Sequence, residues 1–358
     1  MAQRSALRRR PGVQNSKHVP RRRWLDICAK APSEQQEGPA RPFVVEGAPI
    51  GRCRHAWTDE YLEEATGDLK ISAHVSETVA LDFGRKNFAY ELMPLRDFIR
   101  RAQRKGEDRY YYYRSQHTKR NKPSSLEPLG CLAEDFALPE QLVEGDFDPH
   151  STVLRIASVG LRIWLHYDVC DNYLCCIRGR KRVALLPPWT IDRLYIEGSS
   201  STMGSRPLDM NPSRLEELWR EYPLAQEAWE ARYEVVLEEG EVLFIPAMWL
   251  HCTEALPKAG CDGGLCINLN VFLKRKSLSE LYDPKDIWAN RDSLPAQEAV
   301  KALEDKALPA LRRLPPRSRS FYCRKAAAAL MAVAREAEAQ DGCGVEAPLR
   351  AASCAGAK

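Results

Sequence analysis

No stretch of the chain reaches the ~18–20 consecutive apolar residues that a membrane span requires. No apolar segment stands near the N-terminus where a secretory leader would need one. Neither a membrane anchor nor secretion is therefore expected. Charge of one sign is scarce as well. A net charge of +4 over 358 residues is too small to imply nucleic-acid binding by itself. The twelve cysteines include no CxxC pair. Cys170, Cys175 and Cys176 fall in or beside strand-like sequence, and Cys252, Cys261 and Cys266 are too irregularly spaced for a zinc site. Without a secretory signal, reduced thiols that pack as small hydrophobes are expected. Acidic residues are missing before Asp26, which leaves Arg8-Arg9-Arg10 and Arg21-Arg22-Arg23 unbalanced. Residues 1–40 thus read as a disordered basic arm. An organelle transit peptide and a phosphate-gripping arm remain open beside a plain solvated tail.

What is present is a long globular middle. Hydrophobic residues make up 44% of the chain, enough to bury a full core. From Pro42 a short strand and turn lead to a helix start at Trp57, a strand over Leu69–Val75 and a basic amphipathic helix over 94–105. Tyr110-Tyr111-Tyr112-Tyr113 is β-prone, and the polar run after Lys119 reads as a loop. Strand-like runs then follow one another over Val153–Ala157, Leu161–Tyr167, Asn172–Arg178, Arg182–Leu186, Tyr233–Leu237, Glu241–Ile245 and Leu265–Phe272. Glu238-Glu239-Gly240-Glu241 reads as a hairpin turn between two of them, and a helical insert lies between Asp209 and Ala231. Short strands separated by turns predict an antiparallel sandwich or barrel. The barrel domain is expected over 41–276 and a helical C-terminal segment over 277–340, with a disordered tail over 341–358.

Chemistry concentrates at His166-Tyr167-Asp168. Side chains two apart on a strand share a face, so an imidazole and a carboxylate point the same way and make half of a metal site. His251, in the run Phe244-Ile-Pro-Ala-Met-Trp-Leu-His251, is the candidate third ligand. Two imidazoles and one carboxylate form the facial set of non-haem iron(II) oxygenases, which leaves positions open for a cosubstrate and O2. Any one of these residues alone reads equally well as a hydrogen-bonded core or surface side chain. Lys181 alternates with Val183 after the Gly179 turn. It is either an exposed member of the basic run Arg178-Gly-Arg-Lys-Arg182 or a buried cation in need of an anion. Asn172, Asn270 and Tyr112 are candidate hydrogen-bond donors to the same small acid.

These motifs together resemble the JmjC-type 2-oxoglutarate oxygenases. They are His166-Tyr-Asp168, Asn172, Gly179-x-Lys181-Arg, Glu-Gly240-Glu-x-Leu-Phe-Ile-Pro246-x-x-Trp249-x-His251 and Asn270-Val-Phe. Within that family the chain resembles the tRNA-wybutosine hydroxylase branch. The block around Trp164, the Tyr-Tyr-Tyr-Arg-Ser run that contains Tyr112 and the tail Leu314-Pro-Pro-x-x-Arg-x-Phe-Tyr-x-Arg324 carry that likeness, which covers about 42–335. The resemblance implies a mainly β, double-stranded β-helix core (a cupin-like jelly roll) with flanking helices. It further implies Fe(II) held by His166, Asp168 and His251, and 2-oxoglutarate contacted by Tyr112, Asn172 and Lys181. It also implies O2 as oxidant, a homodimer, tRNA-Phe carrying a wybutosine precursor as substrate, and a cytoplasmic or nuclear location. One departure stands out: Ile163 occupies the place, three residues before the first ligand, where related peptide hydroxylases often carry threonine. Basic residues outnumber acidic ones between Lys274 and Lys325, which permits an RNA partner. A JmjC peptidyl hydroxylase or lysine demethylase is the enzymatic alternative, and a non-catalytic cupin-like binding protein is the other.

Overall fold

The computed structural model describes residues 16–29, 41–83, 86–104, 108–196 and 212–340. Its first unit runs through the barrel as far as Ser293. Before the barrel come β1 (Lys17–His18), β2 (Arg21–Arg23), β3 (Phe43–Glu46), β4 (Lys70–Ser76), β5 (Ala80–Leu81), β6 (Ala89–Pro94) and β7 (Tyr110–Arg114). The barrel itself is β8 (Phe147–Ser158), β9 (Arg162–His166), β10 (Asp171–Arg178), β11 (Arg180–Leu186), β12 (Tyr233–Leu237), β13 (Val242–Ile245), β14 (Leu250–Leu256) and β15 (Leu265–Arg275).

Two sheets face each other. One has the order β1-β12-β11-β14-β9-β5, the other β2-β3-β13-β10-β15-β8-β7-β4-β6. Of the connections from β8 to β15, all but β11–β12 step from one sheet to the other, which is the winding of a double-stranded β-helix. The turn at 238–241 is therefore not the hairpin expected from sequence. β12 pairs with β11, and β13 pairs with β10 and β3, so this turn carries the chain between sheets. Gly179 does the same between β10 and β11. The two crossovers are tied together, with Gly240 N donating to Cys176 O at 2.7 Å and Gly179 N to Glu239 Oε1 at 3.0 Å.

Both outer faces are covered. Behind the larger sheet, Leu62, Leu95, Phe98 and Ile99 from the helices Asp59–Thr66 and Leu95–Ala102 pack on Tyr111, Tyr113, Ile156, Cys175 and Ile267. Behind the smaller sheet, Ala225, Ala228 and Trp229 of the helix Pro223–Glu230 pack on Ala184, Leu186 and Cys252. The described part of the insert thus seals the back of that sheet. Apolar cover on both faces explains why β10 is buried from Asp171 to Ile177 and shows no alternation. The buried thiols Cys53, Cys175 and Cys176 lie within these cores, and no described cysteine forms a disulfide.

Two domain boundaries expected from sequence move. Within the arm expected to be disordered, β1 pairs in parallel with β12 and β2 with β3, and Val19 between them is buried. Strand edges with unmet N–H and C=O groups recruit this basic segment. The rest of the arm and the tail after 340 lie outside the described residues. The helical C-terminal segment starts at Leu294, not at 277. Residues 282–293 are held by the barrel unit: Val169 N donates to Ala289 O at 2.9 Å, and Tyr167 Oη donates to Asp292 at 2.9 Å. Asp286, buried, accepts from the backbone N–H groups of Trp288, Asn290 and Arg291, which fixes a turn ahead of the helices. The second unit holds the helices Leu294–Ala302, Leu308–Arg312 and Pro316–Gln340, on which Phe321, Leu330 and Val333 are exposed.

Candidate active site

β9 and β14 are neighbours in the smaller sheet, with His166 directly opposite His251. Their ring centroids are 4.3 Å apart. Asp168 follows the end of β9, on a segment pinned by two backbone bonds: Met248 N to Asp168 O and Val169 N to Ala289 O, both 2.9 Å. Met248 sits at φ 66°, an uncommon conformation for a side-chain-bearing residue, and this turn sets its N–H against Asp168. One ligand atom from each of His166, Asp168 and His251 lies within 4.8 Å of the others.

Both imidazoles are oriented alike. Nδ1 of His166 donates to Trp164 O at 2.8 Å, and Nδ1 of His251 donates to Trp249 O at 3.0 Å. Each leaves Nε2 as the free lone pair, which is the arrangement a metal-binding histidine takes. Asp168 Oδ2 stands 3.5 Å from His251 Nε2. Metal–ligand bonds of ~2.0–2.2 Å put adjacent ligand atoms ~3 Å apart, so the gap suits two ligands of one ion. Burial holds the His166 imidazole well below its ordinary pKa, with the neighbouring His251 adding to the effect. Burial also pushes the Asp168 carboxyl up. A divalent cation in the centre would meet a neutral His166 imidazole and would favour the anionic form of Asp168. The donor set fits such an ion.

The cavity between the sheets gathers the remaining candidates. Tyr112, Asn172, Lys181 and Asn270 all line the same pocket as the three ligands. All four are buried. Asn270 Nδ2 donates to Asn172 Oδ1 at 3.2 Å, which fixes two amides on one wall. Lys181 is 5% exposed and has no carboxylate partner among the described residues. The reading of Lys181 as an exposed turn residue is thereby removed. An ammonium group buried without a counter-charge is costly, and Lys181 lines the same pocket as the three ligands.

Sequence reasoning missed Arg155, Thr253 and Asn268, which line the same pocket. Thr253 was legible, since it lies two residues beyond His251 and alternation puts both on one face. The strand it occupies, β14, was not recognised as one. Ile163 faces the pocket because a β-bulge separates it from His166: the register passes from His251↔His166 to Thr253↔Ile163. The threonine absent at position 163 thus has a counterpart on the neighbouring strand, directly opposite. Arg155 could not be foreseen without the pairing of β8 with β7.

Among family models, that of the cupin-like domain matches residues 30–278. The chain is a cupin-like protein of the tRNA wybutosine-synthesizing protein 5 family. It is 39% identical to tRNA wybutosine-synthesizing protein 5 of Danio rerio over 80% of this chain and 84% of that protein. The Gallus gallus protein of that name is 37% identical over 79% and 86% of the two chains, and the Homo sapiens one 35% identical over 80% and 87%. A tRNA wybutosine-synthesizing protein 4 of Aspergillus oryzae is 32% identical over 83% of this cupin-like chain, which spans only 27% of that longer protein.

Proposed function

We propose that this chain is an Fe(II)- and 2-oxoglutarate-dependent hydroxylase acting on the wybutosine base of tRNA-Phe. The observation that carries the reading is one cavity that holds two Nε2-presenting histidines and a carboxylate at one end, and a buried, unpaired Lys181 farther in. His166, Asp168 and His251 would hold the iron. With 2-oxoglutarate bound, the metal supplies O2 activation and the delivery of one oxygen atom to a C–H bond.

The chain's own residues do the positioning. Lys181 provides the charge for the far carboxylate of the cosubstrate, in a setting where a charge-assisted hydrogen bond is strong. Thr253, opposite Ile163 and close to Lys181 across the smaller sheet, donates its hydroxyl to the same group. Tyr112, whose hydroxyl accepts from Arg155 at 3.2 Å, and the Asn172–Asn270 amide pair bound the cavity on the opposite sheet. Apolar Leu174 and Ile163 line the remaining wall and keep bulk water from the reacting end. A cytoplasmic or nuclear location is part of this proposal, with organelle targeting by the Arg-rich N-terminus as the alternative. The exposed apolar side chains of the C-terminal helices suit pairing of two copies, and light scattering on a chain ending near residue 293 checks this: an unchanged dimer mass would remove that role.

Enzyme given Fe(II), 2-oxoglutarate, O2 and hypomodified tRNA-Phe should return a wybutosine base heavier by one oxygen atom. Asp168→Ala should abolish that product and the accompanying succinate. Unaltered tRNA together with hydroxylated peptide would transfer the assignment to a peptidyl hydroxylase, and indifference to Asp168→Ala would leave a binding protein.

A further inference from the structure

Arg114 on β7 and Arg155 on β8 stand directly opposite each other in the antiparallel register. Like charges placed cross-strand repel, and neither guanidinium forms a direct ion pair with a carboxylate among the described residues. The Nε atom of each is buried without a hydrogen-bond partner. The guanidinium carbon of Arg114 lies 3.9 Å over the Trp288 ring, and Arg155 is held through Tyr112 Oη at 3.2 Å. The arginines are thus fixed by an aromatic face and a phenol, which leaves N–H groups undirected. Both lie close enough to Asp168 for their charge to act on it. Arg155 lines the metal cavity, and Arg114 stands beyond it, one strand outward.

We propose that Arg114 and Arg155 form a clamp for an anionic oxygen group of the substrate, held beside the metal centre. Lys181, farther in, faces the cosubstrate; the arginine pair faces what comes in from outside. Two planar forks on adjacent strands suit the paired oxygens of a carboxylate or phosphate, and either group would quench the cross-strand repulsion. The carbon to be oxidised then lies within a few bonds of that anion. This inference rests on the hydroxylase reading for its substrate, but the presence of an anion site does not depend on it.

The test uses full-length protein loaded with Mn(II) and 2-oxoglutarate, so that the metal and Lys181 are already engaged. Inorganic phosphate should raise the melting temperature of the wild type, and this shift should be lost in Arg114→Gln and Arg155→Gln and largely kept in the two Arg→Lys variants. With iron and tRNA, Arg114→Gln should raise the KM for tRNA at least tenfold with a smaller change in kcat. The 2-oxoglutarate affinity of the Mn(II) form should move less than twofold. A salt slope of tRNA binding reduced by about one per lost contact would name a backbone phosphate as the ligand. An unchanged slope with lost preference for a base carrying a free carboxylate over its methyl ester would name the carboxylate. Phosphate shifts and tRNA KM both unaltered by the substitutions would overturn the clamp. So would a fall in 2-oxoglutarate affinity at constant tRNA KM, which would assign the arginines to the cosubstrate. If wild-type enzyme oxidises no tRNA, the function is wrong and the phosphate shift still judges the clamp.

Discussion

Lys181 is buried without a carboxylate partner among the described residues, and the cost of that burial and its proposed use can be measured separately. Without 2-oxoglutarate, Lys181→Met removes an unpaired buried cation and should leave the melting temperature equal or higher. With 2-oxoglutarate the substitution should weaken binding by about ten- to a hundredfold, as expected for loss of a charged hydrogen bond worth ~1.5–3 kcal/mol. Calorimetry on the Mn(II) form gives both values, and undiminished affinity would rule out contact between Lys181 and the cosubstrate. Thr253→Val keeps shape and removes only the hydroxyl. A neutral hydrogen bond worth about 1 kcal/mol predicts a KM for 2-oxoglutarate about fivefold higher, with the melting temperature little changed. The His166–Asp168 pair was legible because its spacing is local, whereas His251 joins them only through the pairing of β14 with β9. Thr253 obeyed the same rule of alternation but sat on a strand whose sequence, Leu-His-Cys-Thr-Glu-Ala-Leu, mixes polar and apolar residues on a buried face. Arg155 depended on the pairing of β8 with β7, which no single strand encodes.

The crossover turns decide whether the strands wind into a barrel, and their glycines differ in a testable way. Gly179 has φ 70°, and a Cβ there would meet Leu265 O at 2.7 Å and Leu256 O at 3.0 Å, both backbone atoms of strands in opposite sheets. Gly240 has φ 88°, but its nearest neighbours belong to the Arg54 side chain, which can swing away. Left-handed strain costs each alanine variant ~1–3 kcal/mol. Gly179→Ala should exceed Gly240→Ala by a further ~1 kcal/mol or more because the backbone has to move, as read from urea midpoints. Equal losses would show that the turn, not the close approach of the two sheets, sets the requirement. Both turns were visible in the sequence as Gly between β-prone runs. Which sheet each strand joins was not, because a crossover and a hairpin use the same turn residues.

Among the described residues, His74 is buried and His150 is half-buried outside the metal centre. Burial, aided by Arg114, holds the His74 imidazole down to about 4, and burial with Lys274 holds His150 down to about 4. Both stay neutral in the folded chain while the unfolded chain takes up protons near 6.5. Since the unfolded state binds more protons, stability falls as pH drops from about 6.5 toward about 4. The melting temperature should decline steadily over that window, and His74→Gln should flatten the decline. A pH-independent melting temperature between 7 and 5 would contradict it. The β content and the helical end were readable at this scale from periodicity alone. The order of the sheets was not, since partners such as Lys17 and Tyr233 pair across most of the domain. That pairing has a consequence for how the chain is made. Lys17 and Tyr233 are 233 − 17 = 216 positions apart, so at ~5–20 residues per second roughly ten to forty seconds of translation separate them. β1 therefore leaves the ribosome long before its partner β12 exists, whereas β2 meets β3 soon after both emerge.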